Sequence, residues 1–140
     1  RLKMMARKNI EFLGQLTDKE LLGYYQKCQA VVFPQEEDFG LVPLEVQASG
    51  RPVIAFRKGG ALETVIDLAK SRRHIGIAGQ EATGLFFAPQ TPEALIKAVK
   101  RFDASQFKSQ DCRQNGERFS QERFEKAIKE FVKEQWIKRR

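Results

Sequence analysis

The sequence predicts an α/β fold, a Rossmann-like parallel sheet with helices on both faces, in one domain of 140 residues. Short apolar runs alternate with helical patterns along the chain, which is the element order of such folds. The runs carry almost no charge, as expected of strands that are buried on both faces. A hydrophobic content of 41% can supply the core, and 31% charged residues can keep the surface solvated.

Four apolar runs are predicted to be the strands of this sheet. They are Ile10–Leu13, Ala30–Phe33, Val53–Phe56 and Gly84–Phe87. Because the loops that follow parallel strands collect at the carboxyl edge of a sheet, we expect a ligand to bind at that edge.

Helix signals follow each of the first three runs. Thr17 and Glu20 have the spacing of a capping box. Pro43 is expected at the first position of a helix that ends at Gly50. A third helix is predicted over residues 61–68.

The last part of the chain is predicted to be helical. Thr91-Pro92-Glu93 begins a helix that runs to about Phe102, and two more helices follow. The final helix begins at Ser120 and carries an apolar stripe of Phe124, Ile128, Phe131 and Trp136. We expect this stripe to dock on its own domain or on a neighbouring one. Residues 69–83 lack a clear pattern and are expected to form a surface loop with a broken helix.

The net charge of +7 is confined to the two ends of the chain. Residues 1–8 carry four positive and no negative charges, and residues 120–140 carry seven positive and four negative ones, giving +4 and +3. Residues 9–119 hold 14 charges of each sign. A nucleic-acid binder would show a basic face across its fold, so no nucleic-acid partner is expected. Weak contact of the basic ends with an anionic membrane surface is the alternative.

The remaining composition indicates a cytoplasmic protein. No apolar run is near the ~20 residues of a membrane helix, and no signal peptide is visible. The basic ends would allow a peripheral position at the inner membrane face. Cys28 and Cys112 lack a CxxC spacing and are expected to be reduced thiols that bind no metal. His74, the only histidine, is expected to be a surface residue because no carboxylate lies nearby in sequence.

The segment from Pro34 to Glu45 carries the most chemical information. It leaves a strand, turns at Gly40 and enters a helix, whose free N–H groups attract phosphate. Glu45, expected in the first helical turn, is suited to hold the two vicinal hydroxyls of a ribose. Glu37 lies eight residues earlier, so the two carboxylates can address two ends of one ligand. We call residues 35–40 the glutamate loop.

A second segment has the same strand, glycine and helix order. Gly59 and Gly60 follow Arg57 and Lys58, and they mark another helix start where an anionic or sugar ligand could bind. Taken singly, each segment has a purely structural explanation. A glutamate near a helix start is favoured by the helix dipole, and paired glycines suit a tight turn.

Four blocks occur together in one order. They are Glu37-x7-Glu45 enclosing Phe39-Gly40-Leu41, then Ala48 to Ala55, then Gly59 to Val65, then Thr83 to Phe87. In this combination, residues from about Asn9 to Trp136 resemble the carboxyl-terminal, nucleotide-sugar-binding domain of retaining group 1 glycosyltransferases, one half of a GT-B fold. The amino-acid sequences of the first and third blocks are most similar to those of bacterial mannosyltransferases.

The resemblance implies a donor site. Glu45 would hold the ribose, and Glu37, the expected catalytic residue, would lie near the transferred sugar. The backbone of the loop and helix start would meet the sugar and diphosphate, and two turns would frame the nucleobase; these donor-binding residues are Phe39, Gly40, Leu41, Val42, Gly14 and Pro34, joined by Gly59 and Gly60. The family uses no metal or other cofactor. Asp38 stands where glycine is commoner, so the loop beside the sugar could sit differently.

The resemblance also implies missing parts. Such enzymes bind the acceptor with an amino-terminal domain, and neither this domain nor the first strands of the present one are found in the sequence. The arginine and lysine that neutralise the leaving diphosphate would go with them. We therefore expect residues 1–140 to be a truncated donor-binding domain that is inactive alone.

The function predicted from these blocks is hexosyl transfer with retention to a glycan or lipid-linked acceptor in polysaccharide biosynthesis, with GDP-mannose as the favoured donor. The alternative is a non-catalytic nucleotide- or sugar-phosphate-binding module or accessory subunit. A flavodoxin-like regulatory domain would need acidic strand ends, where Phe33-Pro34 and Phe56-Arg57 stand instead.

Overall fold

The computed structural model of the chain describes residues 1–71 and 81–138. Its sheet has three parallel strands in the order β1-β2-β3, and these are Val31–Phe33, Val53–Phe56 and Gly84–Phe87. Val31 lies opposite Val53, which in turn lies opposite Gly84. Because the three strands are parallel, their carboxyl ends meet at one edge of the sheet.

The described part of the chain contains seven α-helices. They are α1 Leu2–Met5, α2 Asp18–Lys27, α3 Leu41–Ala48, α4 Ala61–Thr64, α5 Pro92–Arg101, α6 Ser109–Glu117 and α7 Gln121–Lys138. Two short 3-10 turns cover Leu68–Lys70 and Ala104–Gln106. The expectation for His74, and most of that for residues 69–83, lies outside the described residues.

The core has two parts, one on each face of the sheet. Val53 and Ala55 of β2 pack against α3 and α4, whereas Ile54 and Phe56 point to the opposite face, which α5 covers. All residues of β2 and β3 are buried. The predicted Rossmann-like architecture, a parallel sheet between helices, is thus confirmed.

Several helix signals are confirmed at atomic level. The Glu20 amide donates to Thr17 Oγ1 at 3.4 Å, and the Thr17 amide donates to Glu20 Oε2 at 2.8 Å. The Glu20 carboxylate accepts from the Thr17 amide and also from Thr17 Oγ1 at 2.7 Å, and these two hydrogen bonds hold the pKa of the Glu20 carboxyl below its ordinary value. Thr91 caps α5 by accepting from the Ala94 amide at 3.3 Å. Past the end of α3, Gly50 has a φ of 82°, the left-handed conformation that glycine adopts readily.

The predicted strand at Ile10–Leu13 is wrong. The segment is irregular, and Ile10 and Phe12 are 53% and 44% exposed. A strand is stabilised by hydrogen bonds to a neighbouring strand, and no described strand lies beside this segment. The apolar segment therefore does not form a strand of the sheet.

The predicted helix over residues 61–68 is too long. α4 ends at Thr64, and Val65 is extended with φ −115° and ψ 129°. Val65 packs in the core on one face of the sheet and Leu68 in the core on the other. The intervening Ile66 carbonyl accepts from the amides of Thr83 and Gly84. A continuous helix could not bury both side chains and also pair with the start of β3.

Helix α7 does not dock on its own domain. None of its residues is buried, and Phe124 and Trp136 are 65% and 67% exposed. The expectation that the apolar stripe docks on its own domain is therefore wrong. The side of α3 is already covered by α6, with Gly116 against Ala48. Docking on a neighbouring domain stays a prediction. Across residues 1–71 and 81–138, no helix is both long and apolar enough to cross a membrane.

Candidate functional site

The glutamate loop and the Gly59-Gly60 turn are held together at the carboxyl edge of the sheet. The Gly60 amide donates to the Glu37 carbonyl at 2.8 Å. A Cβ on Gly60 would lie 2.4 Å from Phe39 Cα, and one on Gly59 would lie 2.3 Å from the Glu37 carbonyl oxygen. Only glycines let the two backbones approach so closely. The first effect of this glycine pair is thus to fix the glutamate loop.

Side chains tie the same loops together from the outside. Lys58 Nζ lies 3.0 Å from Glu36 Oε2, and Gln90 Nε2 donates to the Pro34 carbonyl at 2.8 Å. The loops that follow β1, β2 and β3 are joined by these contacts. The two motifs that the sequence places 20 residues apart therefore form one site.

Helix α3 begins directly at this site. Gly40 precedes it with φ 77° and ψ 89°, a left-handed conformation that an L side chain rarely adopts, and no side chain caps the helix. The first N–H groups of a helix have no partner within it. Those of Leu41 and Val42 are therefore available to an anion, at the positive end of the helix dipole.

The start of α3 corrects one prediction. The helix begins at Leu41, because Gly40 makes the sharp turn immediately before it, so Pro43 is the third helical residue and not the first. Proline is tolerated there because its missing N–H would be unpaired in any case. Glu45 becomes the fifth helical residue and lies in the second turn, not the first.

Glu45 faces α2 across a cavity. Its side chain is exposed, and Tyr25 Oη donates to Glu45 Oε2 at 3.5 Å. The cavity of about 310 Å³ lies between α2 and α3 and is lined mainly by apolar atoms. Burial, and then the charge of Glu45, raises the pKa of Tyr25. The structure thus puts a carboxylate, a phenol and an apolar wall together.

Glu37 and Phe39 occupy the exposed part of the glutamate loop. Gln35 Nε2 donates to Glu37 Oε1 at 3.2 Å, which leaves the other carboxylate oxygen open to a ligand. Phe39 is 42% exposed, and its ring meets Phe119 edge to face at 6.0 Å. Asp38 is also exposed. The loop therefore presents three carboxylates to solvent, one of which, Glu36, is paired with Lys58, together with one aromatic ring.

The cations beside the glycine pair are already engaged. Arg57 NH2 lies 2.6 Å from Asp67 Oδ2, and its guanidinium stands 5.3 Å over the Phe86 ring. Lys58 contacts Glu36. Both cations therefore have carboxylate partners in this structure.

Gly14 lies outside these contacts. It stands in the exposed segment before α2 with a φ of 72°, and a Cβ there would meet no atom within 4 Å. The contacts described above join Pro34, the glutamate loop, the start of α3 and the two glycines, and the donor-binding role of Gly14 stays a prediction.

Sequence reasoning missed a buried polar network behind the site. Asn115 Nδ2 donates to Gln47 Oε1 at 2.6 Å and to the Thr64 carbonyl at 2.8 Å. Gln47 Nε2 donates to the carbonyls of Pro43 and Thr64. The partners lie up to 68 residues apart in sequence. The one available signal was a polar residue, Gln47, among the apolar neighbours of α3.

An open helix start at the carboxyl edge of a parallel α/β sheet is the arrangement with which such folds bind phosphate-bearing ligands. The family model described as glycosyl transferases group 1 matches residues 1–119, which include all three strands and α1 to α6. The chain belongs to this family.

Individual relatives agree with the family. The chain is 44% identical over 59 residues to a D-inositol 3-phosphate glycosyltransferase of Corynebacterium diphtheriae, covering 41% of the chain and 14% of the relative. It is 44% identical over 77 residues to the alpha-1,3/1,6-mannosyltransferase ALG2 of Kluyveromyces lactis, covering 53% and 15%. The matched segments thus cover about one seventh of the length of these two relatives.

A solved structure has the same fold. The sucrose-phosphate synthase from Thermosynechococcus elongatus superposes with a TM-score of 0.72 and 29% sequence identity. The superposition covers 91% of the chain and 30% of the synthase.

Proposed function

We propose that the chain is the donor-binding part of a glycosyltransferase that moves a hexosyl group from a nucleotide sugar with retention of configuration. One observation carries the proposal. The glutamate loop is clamped by Gly59 and Gly60 directly beside the uncapped start of α3. A sugar diphosphate needs such an arrangement, with N–H donors for its phosphates and a carboxylate for its hydroxyls.

Each group has a proposed role. The free N–H groups of Leu41 and Val42 bind the diphosphate, so that the site requires no metal. Glu37 contacts the transferred sugar and acts as the catalytic carboxylate. Glu45 accepts hydrogen bonds from the ribose hydroxyls, and the apolar cavity beside Tyr25 provides a wall for the nucleoside.

The donor and acceptor are proposed from the relatives. Because the ALG2 relative is named a mannosyltransferase, GDP-mannose is the proposed donor, and a glycan or lipid-linked sugar is the proposed acceptor. An amino-terminal domain in the same polypeptide would supply the acceptor site, since the matched relatives are several times longer than the chain. We place the reaction in polysaccharide biosynthesis on the cytoplasmic side of the membrane.

The test is calorimetric titration of the chain with GDP, UDP, ADP and GDP-mannose. Binding of one nucleotide, weakened about 10- to 100-fold by Glu45→Ala, is expected, because hydrogen bonds to a charged group contribute about 1.5–3 kcal/mol. Glu130→Ala on the exposed helix α7 is the matched control and should bind like the parent chain. Equal affinities for Glu45→Ala and the parent chain would refute the ribose assignment.

The Glu37→Ala variant distinguishes binding of the sugar from binding of the nucleotide. Its affinity for GDP should stay near that of the parent chain, whereas its affinity for GDP-mannose should fall several-fold, because only the second ligand carries the sugar. Equal losses for both ligands would contradict the proposed division between Glu37 and Glu45.

A second candidate, a non-catalytic binding module, is favoured by the paired state of Arg57 and Lys58. A departing diphosphate needs positive charge, and both of these cations already neutralise carboxylates. Because residues 1–140 are expected to be inactive alone, the candidates are distinguished by incubating a polypeptide that also contains the proposed acceptor domain with GDP-mannose. Release of free GDP would support the glycosyltransferase, and binding without release would support the module.

A further inference from the structure

The glutamate loop is supported from behind by the end of α6. The Phe39 and Phe119 rings meet at 6.0 Å with an interplanar angle of 67°. The backbone of Phe39 is in contact with Gly60. Phe39 is thus fixed on two sides, through its backbone by the glycine turn and through its ring by Phe119.

Phe119 is in turn held by its neighbours. Its amide donates to the Gly116 carbonyl at 3.0 Å, and the Arg118 guanidinium lies 5.7 Å over its ring. Arg118 NH1 donates to Asn115 Oδ1 at 3.0 Å. The ring that touches the glutamate loop therefore belongs to a turn with its own stabilising contacts.

Asn115 connects this turn to both helices that start at the site. Its amide nitrogen donates to the Gln47 side chain of α3 and to the Thr64 carbonyl of α4. Gln47, Thr64 and Asn115 are buried, and no buried side-chain nitrogen or oxygen among the described residues lacks a partner. A fully satisfied buried network permits few alternative geometries. The end of α6 thus has a fixed position relative to α3 and α4.

We propose that Phe119 is a positioning residue, which holds the glutamate loop in the geometry that receives the sugar of the donor. The inference rests on the proposed function for the identity of the ligand, but its mechanical part concerns the loop alone. Phe119 contacts Phe39 and, through Phe39, fixes the position of Glu37 relative to the start of α3. The ligand itself is touched by the loop and not by Phe119.

The test compares three variants of the full chain by hydrogen exchange and calorimetry. Phe119→Leu keeps an apolar side chain but removes the ring edge, whereas Phe119→Tyr keeps the ring. Phe102→Leu is the matched control, since Phe102 is also half-buried and stacks on Phe107 at 5.5 Å, in the core on the other face of the sheet.

The measured amide is that of Gly60, which bonds to the Glu37 carbonyl. In Phe119→Leu its exchange should accelerate about 2- to 10-fold, the range that one aromatic pair supports. Phe119→Tyr should restore the slow rate, and Phe102→Leu should leave it unchanged. Affinity for GDP-mannose should fall by a similar factor in Phe119→Leu, while affinity for GDP should change less.

Two results would overturn the proposal. The Gly60 amide could exchange equally slowly in Phe119→Leu and the parent chain, or the control could accelerate as much as Phe119→Leu. Phe39→Leu, made in an exposed side chain, gives a second approach to the same contact, and combining it with Phe119→Leu should add no further acceleration.

The two proposals fail in different ways. If Gly60 exchange accelerates in Phe119→Leu but neither the parent chain nor any variant binds a nucleotide sugar, the loop support stands and the proposed function falls. If the parent chain binds GDP-mannose and Phe119→Leu binds it equally well with unchanged exchange, the function stands and the positioning role is refuted.

Discussion

Gly60 is the residue at which a single added carbon would separate the two loops of the site. A Cβ there would lie 2.4 Å from both Cα and the carbonyl oxygen of Phe39 and 2.6 Å from the Asp38 carbonyl oxygen. All three are backbone atoms, so a flexible side chain cannot move aside to make room. The glycine is therefore explained by packing before any ligand is considered.

Gly60→Ala should consequently lower the free energy of unfolding by about 1–3 kcal/mol, the usual cost of overpacking, and should weaken nucleotide-sugar binding. Urea denaturation and titration measure the two effects. Gly23→Ala is the control, because a Cβ at Gly23 of α2 would meet no atom within 4 Å. That variant should gain up to about 1 kcal/mol of stability from helix propensity. Equal effects of the two substitutions would contradict the close approach of the loops.

At the scale of elements, α6 is the helix that joins the site to the core. Cys112 of α6 is fully buried, and burial raises the pKa of its thiol to about 12. Cys28 is partly exposed, and burial raises the pKa of its thiol as well. The structure leaves both thiols unpaired, and their different burial makes them probes of α6 docking.

Because the pKa of Cys112 is raised from 9.0 in the folded chain, its contribution to stability is complete below pH 9 and is lost as the pH rises toward 12.

A thiol-specific reagent at pH 8 should modify Cys28 first and Cys112 only when α6 opens. Mass spectrometry of the labelled chain, with Cys28→Ser to isolate the second site, measures the order. Equally fast labelling of both thiols in the native chain would show that α6 does not dock as described.

Helix α7 contrasts with α6, because it buries no residue. Deleting residues 121–140 should change the free energy of unfolding of the remaining chain by less than about 0.5 kcal/mol, as is usual for surface changes. It should also lower self-association, since the exposed apolar stripe is removed. Denaturant unfolding and sedimentation measure the two effects. A stability loss above about 2 kcal/mol would place α7 on the core.

At the scale of the whole molecule, local patterns predicted the buried elements well. Val53–Phe56 and Gly84–Phe87 were predicted with their observed bounds, since buried parallel strands are uninterrupted apolar runs. The strand predicted over Ile10–Leu13 was wrong because a strand also depends on its neighbours. An apolar run does not show, in the sequence alone, whether another strand is available to pair with it.

The candidate site shows the same limit. Spacing and glycine content predicted that Glu37 and Gly60 lie at the carboxyl edge of the sheet, and in the structure a backbone hydrogen bond joins them. Phe119 and Asn115 were missed because their partners lie 50 to 80 residues away in sequence, beyond any periodic signal. The ligand roles of Glu37 and Glu45 stay predictions.

The molecule therefore consists of a packed core between α2 and α6 and two exposed ends. In residues 1–16 only Ala6 and Leu16 are even partly buried. Arg7 and Lys8 lie in this exposed segment, whereas Lys27 is the last residue of α2, where the following Cys28 amide donates to the Tyr24 carbonyl at 3.0 Å. Proteases cleave exposed, irregular chain first.

Brief trypsin treatment should thus cut after Arg7 and Lys8 well before it cuts after Lys27, and should leave a core that still unfolds cooperatively. Intact-mass measurement over time gives the order of cleavage, and circular dichroism of the trimmed product gives its cooperativity. Cleavage after Lys27 should become fast only in denaturant. If the native chain were cut after Lys27 as early as after Arg7, the end of α2 would not be folded as described, and the cavity that places Tyr25 beside Glu45 would not persist in solution.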